Sequence, residues 1–357
     1  ALPILGLARM YLRHNRGNVD TAIAKVSDAL KSDPGLQYER LRWRTRKGKY
    51  ASAREILNSP PDNLIRPVRW WKVRSVVART ALREGLISEA YRLARDHGLQ
   101  ADGNGAAASF AEAEWLAGWI AFRFLDDAGL AKTHFERMYN AVQYPVSRAR
   151  GAYWTARALK GQGKPDAART WHGRAARHPT TYYGQLSIAR LHPDGGLELA
   201  PEPIPSDLDN KAFEDQELVH VVGMLAEVEA TDWLRPFILA LDKINATPGW
   251  HQLVIELAQV SGRRDLSLLI AKRQGRETSK FTEAAFPLVV PPKMPARANA
   301  PTPETPLVLA IIRQESAFHV KAHSSANKTS TSTSTSTGNT SLQVGVIIEF
   351  IVVCLMQ

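Results

Sequence analysis

The sequence has little of what most metal and disulfide proteins require. Its 357 residues include one cysteine, Cys354, so no disulfide can form within the chain. The ten histidines include no His-x3-His pair beside a carboxylate; His172 with His178, and His319 with His323, come nearest. We therefore expect no metal site. Because secreted proteins need not contain disulfides, the compartment stays open on this ground.

Other signatures are also missing. The chain has no glycine-rich phosphate loop and no Gly-x-Ser-x-Gly element, so phosphoryl transfer and serine hydrolysis are unsupported and no cofactor is expected. No stretch before residue 340 is apolar enough to cross a bilayer. Strand-like alternation of apolar and polar residues is nearly absent.

Positive charge is in excess. Lysine and arginine number 46 against 35 acidic residues, a net charge of +11. Such a surface favours an acidic partner: nucleic acid, anionic lipid or an acidic cell-wall glycan. The basic residues are scattered and form no stripe, which is typical of solvated helix faces, and nucleic-acid binding is not expected.

Helical periodicity dominates the chain up to about residue 275. Apolar residues recur at helical spacing in stripes such as Trp70, Val73, Val77 and Ala81, Leu218, Val221, Leu225 and Val228, and Trp250, Leu253, Leu257 and Val260. The sequence therefore predicts an all-α fold. Two aromatic pairs, Trp70 with Trp71 and Tyr182 with Tyr183, could stack sugars, but their spacing favours packing in the core.

A short signature recurs between the predicted helices: a glycine is followed five positions later by a small residue. The pairs are Gly17 and Ala22, Gly48 and Ala53, Gly85 and Ala90, Gly163 and Ala168, and Gly262 and Ser267. Glycine can adopt the left-handed conformation that ends one helix, and the small residue allows close packing of the next. The pattern predicts helical hairpins stacked into a curved α-solenoid with a long concave surface.

Composition divides the chain further. Residues 1–285 form the predicted superhelix. Residues 286–305 form a proline-rich connector that no helix of ordinary length can cross. At 306–326 a second domain begins, for which Thr305 is the expected N-cap, Pro306 the first-turn proline, and Val308, Leu309, Ile311 and Ile312 the inward face.

That second domain soon ends. Residues 327–341 are a Thr/Ser-rich low-complexity linker, and 342–357 an apolar tail of doubtful origin, too short for a confident membrane span. The tail has three interpretations: an interface anchor, a small buried strand, or a sequence foreign to the domain, introduced by a frameshift or an alternative end. The abrupt two-letter repeat in mid-domain favours the last.

Glu315 is the candidate catalytic residue. It lies near the end of an otherwise apolar helix, with Ile311 and Ile312 before it and Ala317 and Phe318 after it. We expect these neighbours to desolvate the carboxyl group partly, so that it can hold a proton and deliver it to a leaving oxygen. Lone glutamates are common in helices, so residue types alone favour an exposed, functionless Glu315.

A resemblance to a known family strengthens the first interpretation. The segment "LVLAIIRQESAF" at 307–318 resembles the start of the lysozyme-like domain of soluble lytic transglycosylases. Five upstream segments resemble the same family's helical domain and linker in order and spacing. They are "EWLAGWIAFRFL" at 114–125, "HFERMY" at 134–139, "RARGAYWTARAL" at 148–159, "PTTYYGQLSIARL" at 179–191 and "AAFPLVVP" at 284–291. The resemblance covers about residues 1–326 and implies that the superhelix at 1–285 is U-shaped or ring-like, with a U domain and a linker domain.

The resemblance implies a function. Such enzymes cleave the β-1,4 bond between N-acetylmuramic acid and N-acetylglucosamine in peptidoglycan without water, leaving 1,6-anhydro ends. Glu315 matches the family's acid and base, and Ser316 the adjacent residue that positions glutamate or substrate. The implied partners are peptidoglycan strands and other cell-wall proteins, with a monomeric chain in the periplasm; membrane association stays open.

The chain also departs from the family. After "KAHSSA" the family continues with a Gly-Leu-Met-Gln segment and further helices that build the glycan groove, and these are absent here. We therefore expect a truncated catalytic domain with little or no activity, because catalysis requires an enclosed, oriented sugar. The alternative function is a non-enzymatic helical-repeat scaffold that binds protein or glycan.

Overall fold

The computed structural model describes residues 2–101, 106–197, 199–274, 280–290, 303–319 and 322. Within these ranges the chain forms helices and no β-strand, which confirms the all-α prediction. The predicted linker 327–341 and tail 342–357 lie outside the described residues. The chain divides into two compact units, unit 1 at 1–198 and unit 2 at 199–357, and this division falls inside the range 1–285 that the sequence assigns to one superhelical domain.

The helices of unit 1 are α1 (Leu2–Arg13), α2 (Val19–Ala24), α3 (Asp28–Lys31), α4 (Pro34–Arg46), α5 (Tyr50–Asn58), α6 (Pro67–Arg83), α7 (Ile87–Arg95), α8 (Ala107–Arg123), α9 (Ala128–Ala141), α10 (Pro145–Gly161), α11 (Pro165–Ala176) and α12 (Tyr182–Leu191). From α4 onward, the helices of unit 1 pack mainly on their neighbours in sequence, whereas α1 packs on both α2 and α4.

Unit 2 contains shorter helices and one 3-10 turn at Thr231–Trp233. Its helices are α13 (Asp207–Glu214), α14 (Glu217–Glu227), α15 (Leu234–Leu241), α16 (Pro248–Val260), α17 (Arg264–Gln274), α18 (Thr282–Ala285) and α19 (Thr305–Glu315). As in unit 1, several helices begin with proline in the first turn, where a missing N–H costs no intrahelical hydrogen bond.

The glycine signature marks a repeated turn. Gly48, Gly85, Gly163 and Gly262 all have φ between +69° and +78°. In each case the residue after the glycine donates its N–H to the carbonyl five positions earlier, at 2.8–3.0 Å, which closes the end of the preceding helix. The small residues that follow, Ala53, Ala90, Ala168 and Ser267, are buried. The predicted role of both positions is confirmed at these four turns.

Two turns reach the same geometry without glycine. Near Gly17 the left-handed residues are Asn15 and Asn18, so the predicted role of Gly17 itself is wrong; the asparagines supply the turn. Between α14 and α15 the left-handed residue is Glu229, with φ 56°, and Ala230 donates to the carbonyl of Leu225 at 2.9 Å. A glutamate in this left-handed conformation costs free energy that a glycine would not.

The apolar stripe of α6 is confirmed, and those of α14 and α16 are confirmed in part, since Leu218, Leu225, Leu253 and Leu257 pack half-buried against the core of unit 2. Trp70, Trp71, Val77 and Ala81 are buried in the core of unit 1. In α14 the buried residue is Val222, whereas Val228 is exposed; in α16 Val254, Ile255 and Ala258 are buried beside Trp250, whereas Val260 is exposed. In both helices the most deeply buried residues therefore lie one position along from the predicted stripe, and the last valine of each stripe is exposed. Tyr182, expected to pack, is 68% exposed.

Candidate functional site

Helix α19 carries the candidate catalytic residue. It begins at Thr305 and ends at Glu315, and its N-cap is Glu304, so the prediction of Thr305 as N-cap is wrong. Pro306 lies in the first turn as expected. No side chain caps the N-terminus, and the fixed backbone of proline is what favours a helix start here.

Packing seats one face of α19 in unit 2. Val308 and Ile311 are buried, and Leu309 and Ile312 are half-buried, which agrees with the predicted inward face. Residues at this i, i+3, i+4 spacing share one side of a helix. The helix is therefore held by apolar contact along its middle.

Arg313 fastens the last turn of α19. Its Nε donates to the carbonyl oxygen of Ala285 at 2.6 Å, at the end of α18, and its guanidinium lies 4.2 Å from the ring centre of Phe286. Burial lowers the pKa of Arg313 from its ordinary value. A hydrogen bond and a cation–π contact together tie the end of α19 to the segment 282–286. Sequence reasoning missed this residue, although Arg313 lies two positions before the candidate glutamate.

Glu315 is exposed to solvent. The expectation that its apolar neighbours desolvate it is wrong for the described part of the chain. Glu315 lies one turn beyond Ile311, but α19 ends there, and none of the described residues packs over the carboxyl group. Apolar neighbours in sequence shield a side chain only when they fold back over it, which the turn after Glu315 prevents.

Ser316 is the C-cap of α19 and is half-buried. Its hydroxyl donates to the carbonyl oxygen of Ile312 at 3.0 Å, and its backbone N–H donates to the same oxygen at 3.0 Å. The serine is therefore oriented by the last turn of the helix. It fixes where the chain leaves α19 immediately after the glutamate.

A strained turn follows. Ala317 and Phe318 both have left-handed backbones, with φ of 50° and 61°, and the N–H of His319 donates to the carbonyl of Ser316 at 2.9 Å. Two non-glycine residues in this region cost about 1–2 kcal/mol each. Strain of this kind persists only where surrounding contacts hold the conformation in place.

Those contacts come from the turn between α16 and α17. Phe318 and His319 line a small cleft with Thr231, Asp232, Gly262, Arg263 and Asp265. The cleft holds about 40 Å³, room for little more than water and too small for a sugar ring. It therefore positions the end of α19 and is not itself a glycan site.

Arg263 and Asp265 make this cleft rigid. The guanidinium donates to both carboxylate oxygens at 2.9 Å and to the carbonyl of Thr231 at 2.7 Å. Burial acts to raise the pKa of Asp265, but the hydrogen bonds and charge of Arg263, with the charge of His319, outweigh it and lower that pKa. The turn that carries His319 therefore lies beside the carboxylate that Arg263 holds.

The remaining candidates add no second site. His172 and His178 lie in unit 1, and His323 lies outside the described residues, so the pair with His319 is not placed. Within the described ranges, no group of three or more His, Cys, Asp or Glu side chains is arranged to hold a metal. No helix among the described residues has the length and apolar character to cross a membrane. In comparisons with known proteins, no family model and no curated protein matches this chain.

Proposed function

We propose that Glu315 is the acid and base of a peptidoglycan lytic transglycosylase. The observation that supports this proposal is its location: the carboxyl group is accessible at the end of a helix that Arg313 and the 317–319 turn fasten to unit 2. An accessible carboxyl group on a fixed support can meet a polymer that approaches from outside. The sequence "IIRQES" around it resembles the family's catalytic helix.

The proposed reaction needs one carboxyl group and no water. Glu315 in its protonated form donates its proton to the glycosidic oxygen, and the bond between that oxygen and C1 breaks. The substrate's own N-acetyl oxygen stabilises the positive charge that develops at C1. The carboxylate then takes the proton of the C6 hydroxyl, whose oxygen closes onto C1 as the 1,6-anhydro ring. Such substrate assistance is an exception to the two-carboxylate scheme of glycoside hydrolysis.

Ser316 contributes position in this scheme. Its hydroxyl is already held by the carbonyl of Ile312, so it fixes the backbone that carries Glu315. A glutamate that must act as acid and then as base gains from a fixed backbone, because both proton transfers need hydrogen-bond geometry with different oxygens.

Enclosure is what the described residues lack. Glu315 is exposed, and the 40 Å³ cleft beside its helix cannot hold a sugar. General acid catalysis by a carboxyl group in open water is weak, because nothing holds the glycosidic oxygen within hydrogen-bond distance of the acid. We therefore expect the 357-residue chain alone to release no anhydro-muropeptides, and a lysozyme-like domain that supplies the groove helices to be required.

The wider proposal follows from the same resemblance. The helical units belong to a superhelix that guides glycan strands, the chain acts as a monomer in the periplasm, and it meets peptidoglycan and other cell-wall proteins there. The net charge of +11 supports an acidic polymer as substrate, because it attracts anionic groups along the strand.

The experiment joins the groove helices of a lysozyme-like domain to the chain after residue 326 and supplies purified sacculi. We expect release of anhydro-muropeptides, abolished by Glu315→Gln and unaffected by Glu304→Gln. Glu304 is a matched control because it is an exposed glutamate at the other end of the same helix. Equal activity of the Glu315→Gln fusion would remove the proposal.

A scaffold function is the second candidate, favoured by the exposure of Glu315 in the described chain. It requires only binding by the helical surfaces. Co-sedimentation with sacculi tests it: a scaffold binds equally well with Glu315→Gln and shows no release when the groove helices are restored.

A further inference from the structure

A polar cleft in unit 1 lies apart in sequence from every residue of the proposed reaction. It has a volume of about 380 Å³, within the range of small-molecule sites. Helix α4 contributes Gln37, Arg40 and Arg44, and α5 contributes Glu55 and Ile56. Ser32 and the segment 59–62, which includes Pro60 and Pro61, complete the lining. Because two consecutive prolines restrict the backbone, one wall of the cleft is fixed before any ligand enters.

Arg40 is the unusual residue in this cleft. Its side chain is half-buried, yet none of the residues that the structure describes forms a hydrogen bond or ion pair with it. An arginine has five N–H donors and cannot lose its charge at neutral pH. Partly removing such a group from water without a partner costs free energy, which an acceptor in the cleft would offset.

Arg44 lies one turn further along the same helix and increases this cost. Its Nη1 donates to the carbonyl of Ser52 and lies 3.6 Å from Oε2 of Glu55, so Arg44 is partly neutralised. Like charges at i and i+4 on a helix repel each other. Burial first and the charge of Arg44 second lower the pKa of Arg40, while the carboxylates of Asp20 and Glu55 act in the opposite direction and are outweighed.

We propose that this cleft binds an oxyanion, a carboxylate or phosphate group of a small ligand, through the guanidinium of Arg40. A planar guanidinium donates two parallel hydrogen bonds to either group. The hydroxyls of Ser32 and Ser59 are further donors on the lining. Glu55 and Asp62 also line the cleft and oppose an anion, but Glu55 is directed to Arg44 and both carboxylates are exposed to water.

Glu55 provides a second test, because its replacement should change the affinity for the anion in the opposite direction from replacement of Arg40. Replacing Glu55 with glutamine removes a competing negative charge and frees Arg44 to join the ligand. The proposal therefore predicts tighter binding for Glu55→Gln and weaker binding for Arg40→Gln. A general attraction to a basic surface would make the two changes small and would not depend on which arginine is replaced.

The experiment is calorimetric titration of the full chain with inorganic phosphate and, separately, with acetate, each against chloride at matched ionic strength. We expect binding to the unmodified chain, an affinity loss of roughly tenfold or more in Arg40→Gln, and a gain of several-fold, on the order of 3-fold, in Glu55→Gln. Arg69→Gln is the matched control, since it removes the same charge from an exposed position in α6 outside the cleft. Whichever of phosphate and acetate binds more tightly identifies the ligand group.

Thermal unfolding keeps the test decisive if a variant is less stable. The unfolding midpoint of the unmodified chain should rise with phosphate or acetate and that of Arg40→Gln should not. The proposal is overturned if neither anion binds the unmodified chain, if Arg40→Gln binds as well as the unmodified chain, or if Arg69→Gln loses as much affinity as Arg40→Gln.

Discussion

Nδ1 of His134 lies 2.6 Å from Oε2 of Glu114, and both side chains are buried between α8 and α9. The other carboxylate oxygen is 3.2 Å from Nε2 of His97 and 2.9 Å from Nη2 of Arg137. The N–H of Leu99 donates to Nδ1 of His97, so that nitrogen carries no proton and Nε2 is the donor to Glu114. The carboxylate therefore holds two helices and a loop together from inside the core.

Glu114→Gln should destabilise unit 1. Burial acts to raise the pKa of Glu114, but hydrogen bonds from His134 and His97 and the charge of Arg137 outweigh it and lower the pKa to about 2. Glutamine keeps one acceptor oxygen but removes the charge and turns an NH2 group toward buried donors, at a cost of roughly 3 kcal/mol in the free energy of unfolding. Urea titration measures it, and Glu112→Gln, an exposed glutamate on the same helix, should cost under about 1 kcal/mol.

The difference in the free energy of unfolding between the unmodified chain and Glu114→Gln should depend on pH in one direction only. The unfolded carboxyl group has its ordinary pKa of 4.5, so its stabilising contribution is complete above that pH and is lost as pH falls toward 2. The stability difference between the unmodified chain and Glu114→Gln should shrink across this window. A difference that stays constant on acidification would contradict the assignment of a buried carboxylate.

His172 should make the chain sensitive to mild acid. Burial, with the charges of Arg190, Arg157 and Lys160, lowers its pKa from 6.5 to about 4. Nδ1 of the ring lies 3.0 Å from Oγ of Ser187, a pairing that a neutral ring satisfies. Because the unfolded chain binds a proton that the folded chain refuses, stability falls as pH drops from 6.5 toward 4, by roughly 2–3 kcal/mol.

The measurement is the slope of unfolding free energy against pH, in the unmodified chain and in His172→Asn. The substitution removes the imidazole that binds the proton, so the slope between pH 4 and 6.5 should flatten. Parallel slopes in the two proteins would show that His172 titrates alike in both states.

The repeated turn gives a test in which one substitution has opposite effects. Gly85→Ala should destabilise by about 1 kcal/mol because a left-handed backbone disfavours a β-carbon, although the space around it is open. Gly173→Ala should stabilise by roughly 0.5–1 kcal/mol, since Gly173 lies inside α11 with nothing near the added atom.

The same argument reverses at Glu229. Its left-handed backbone, with φ 56°, should make Glu229→Gly stabilising by about 1 kcal/mol. Urea unfolding of each variant gives the free energies. Equal effects for Gly85→Ala and Gly173→Ala would contradict the account of the turn.

Arg313 should control how firmly α19 is held. Arg313→Ala removes the hydrogen bond to Ala285 and the contact with Phe286, so amide exchange in Thr305–Glu315 should accelerate by roughly tenfold or more. Gln314→Ala, an exposed neighbour, should leave exchange unchanged. Unaltered exchange in Arg313→Ala would mean that the apolar face alone secures the helix.

Helical periodicity and turn glycines predicted much of the fold because both are local. Gly48, Gly85, Gly163 and Gly262 need only their own backbone conformation to end a helix, so the repeat was readable. Glu229 was not predicted because its turn contains no glycine, although it has the same left-handed backbone and the same hydrogen bond, from Ala230 to Leu225.

Burial of charge could not be predicted in this way. Glu114 and its partners His97 and His134 come from separate segments, and nothing in the residue types distinguishes them from solvated side chains. For Glu315 the error had the opposite direction: burial was expected from its apolar neighbours, but the chain turns away and leaves the carboxyl group exposed. Shielding depends on where distant segments pack, which local pattern does not encode.

The most direct measurement of the proposed function is mass spectrometry of the sugar ends that the chain, joined to the groove helices, releases from sacculi in water enriched in oxygen-18. If Glu315 directs an internal attack by the C6 hydroxyl, the new ends are 1,6-anhydro sugars without oxygen-18, and Glu315→Gln produces none. Reducing ends that contain oxygen-18 would show hydrolysis by water, and release that survives Glu315→Gln would show that another group does the chemistry; either result contradicts the account.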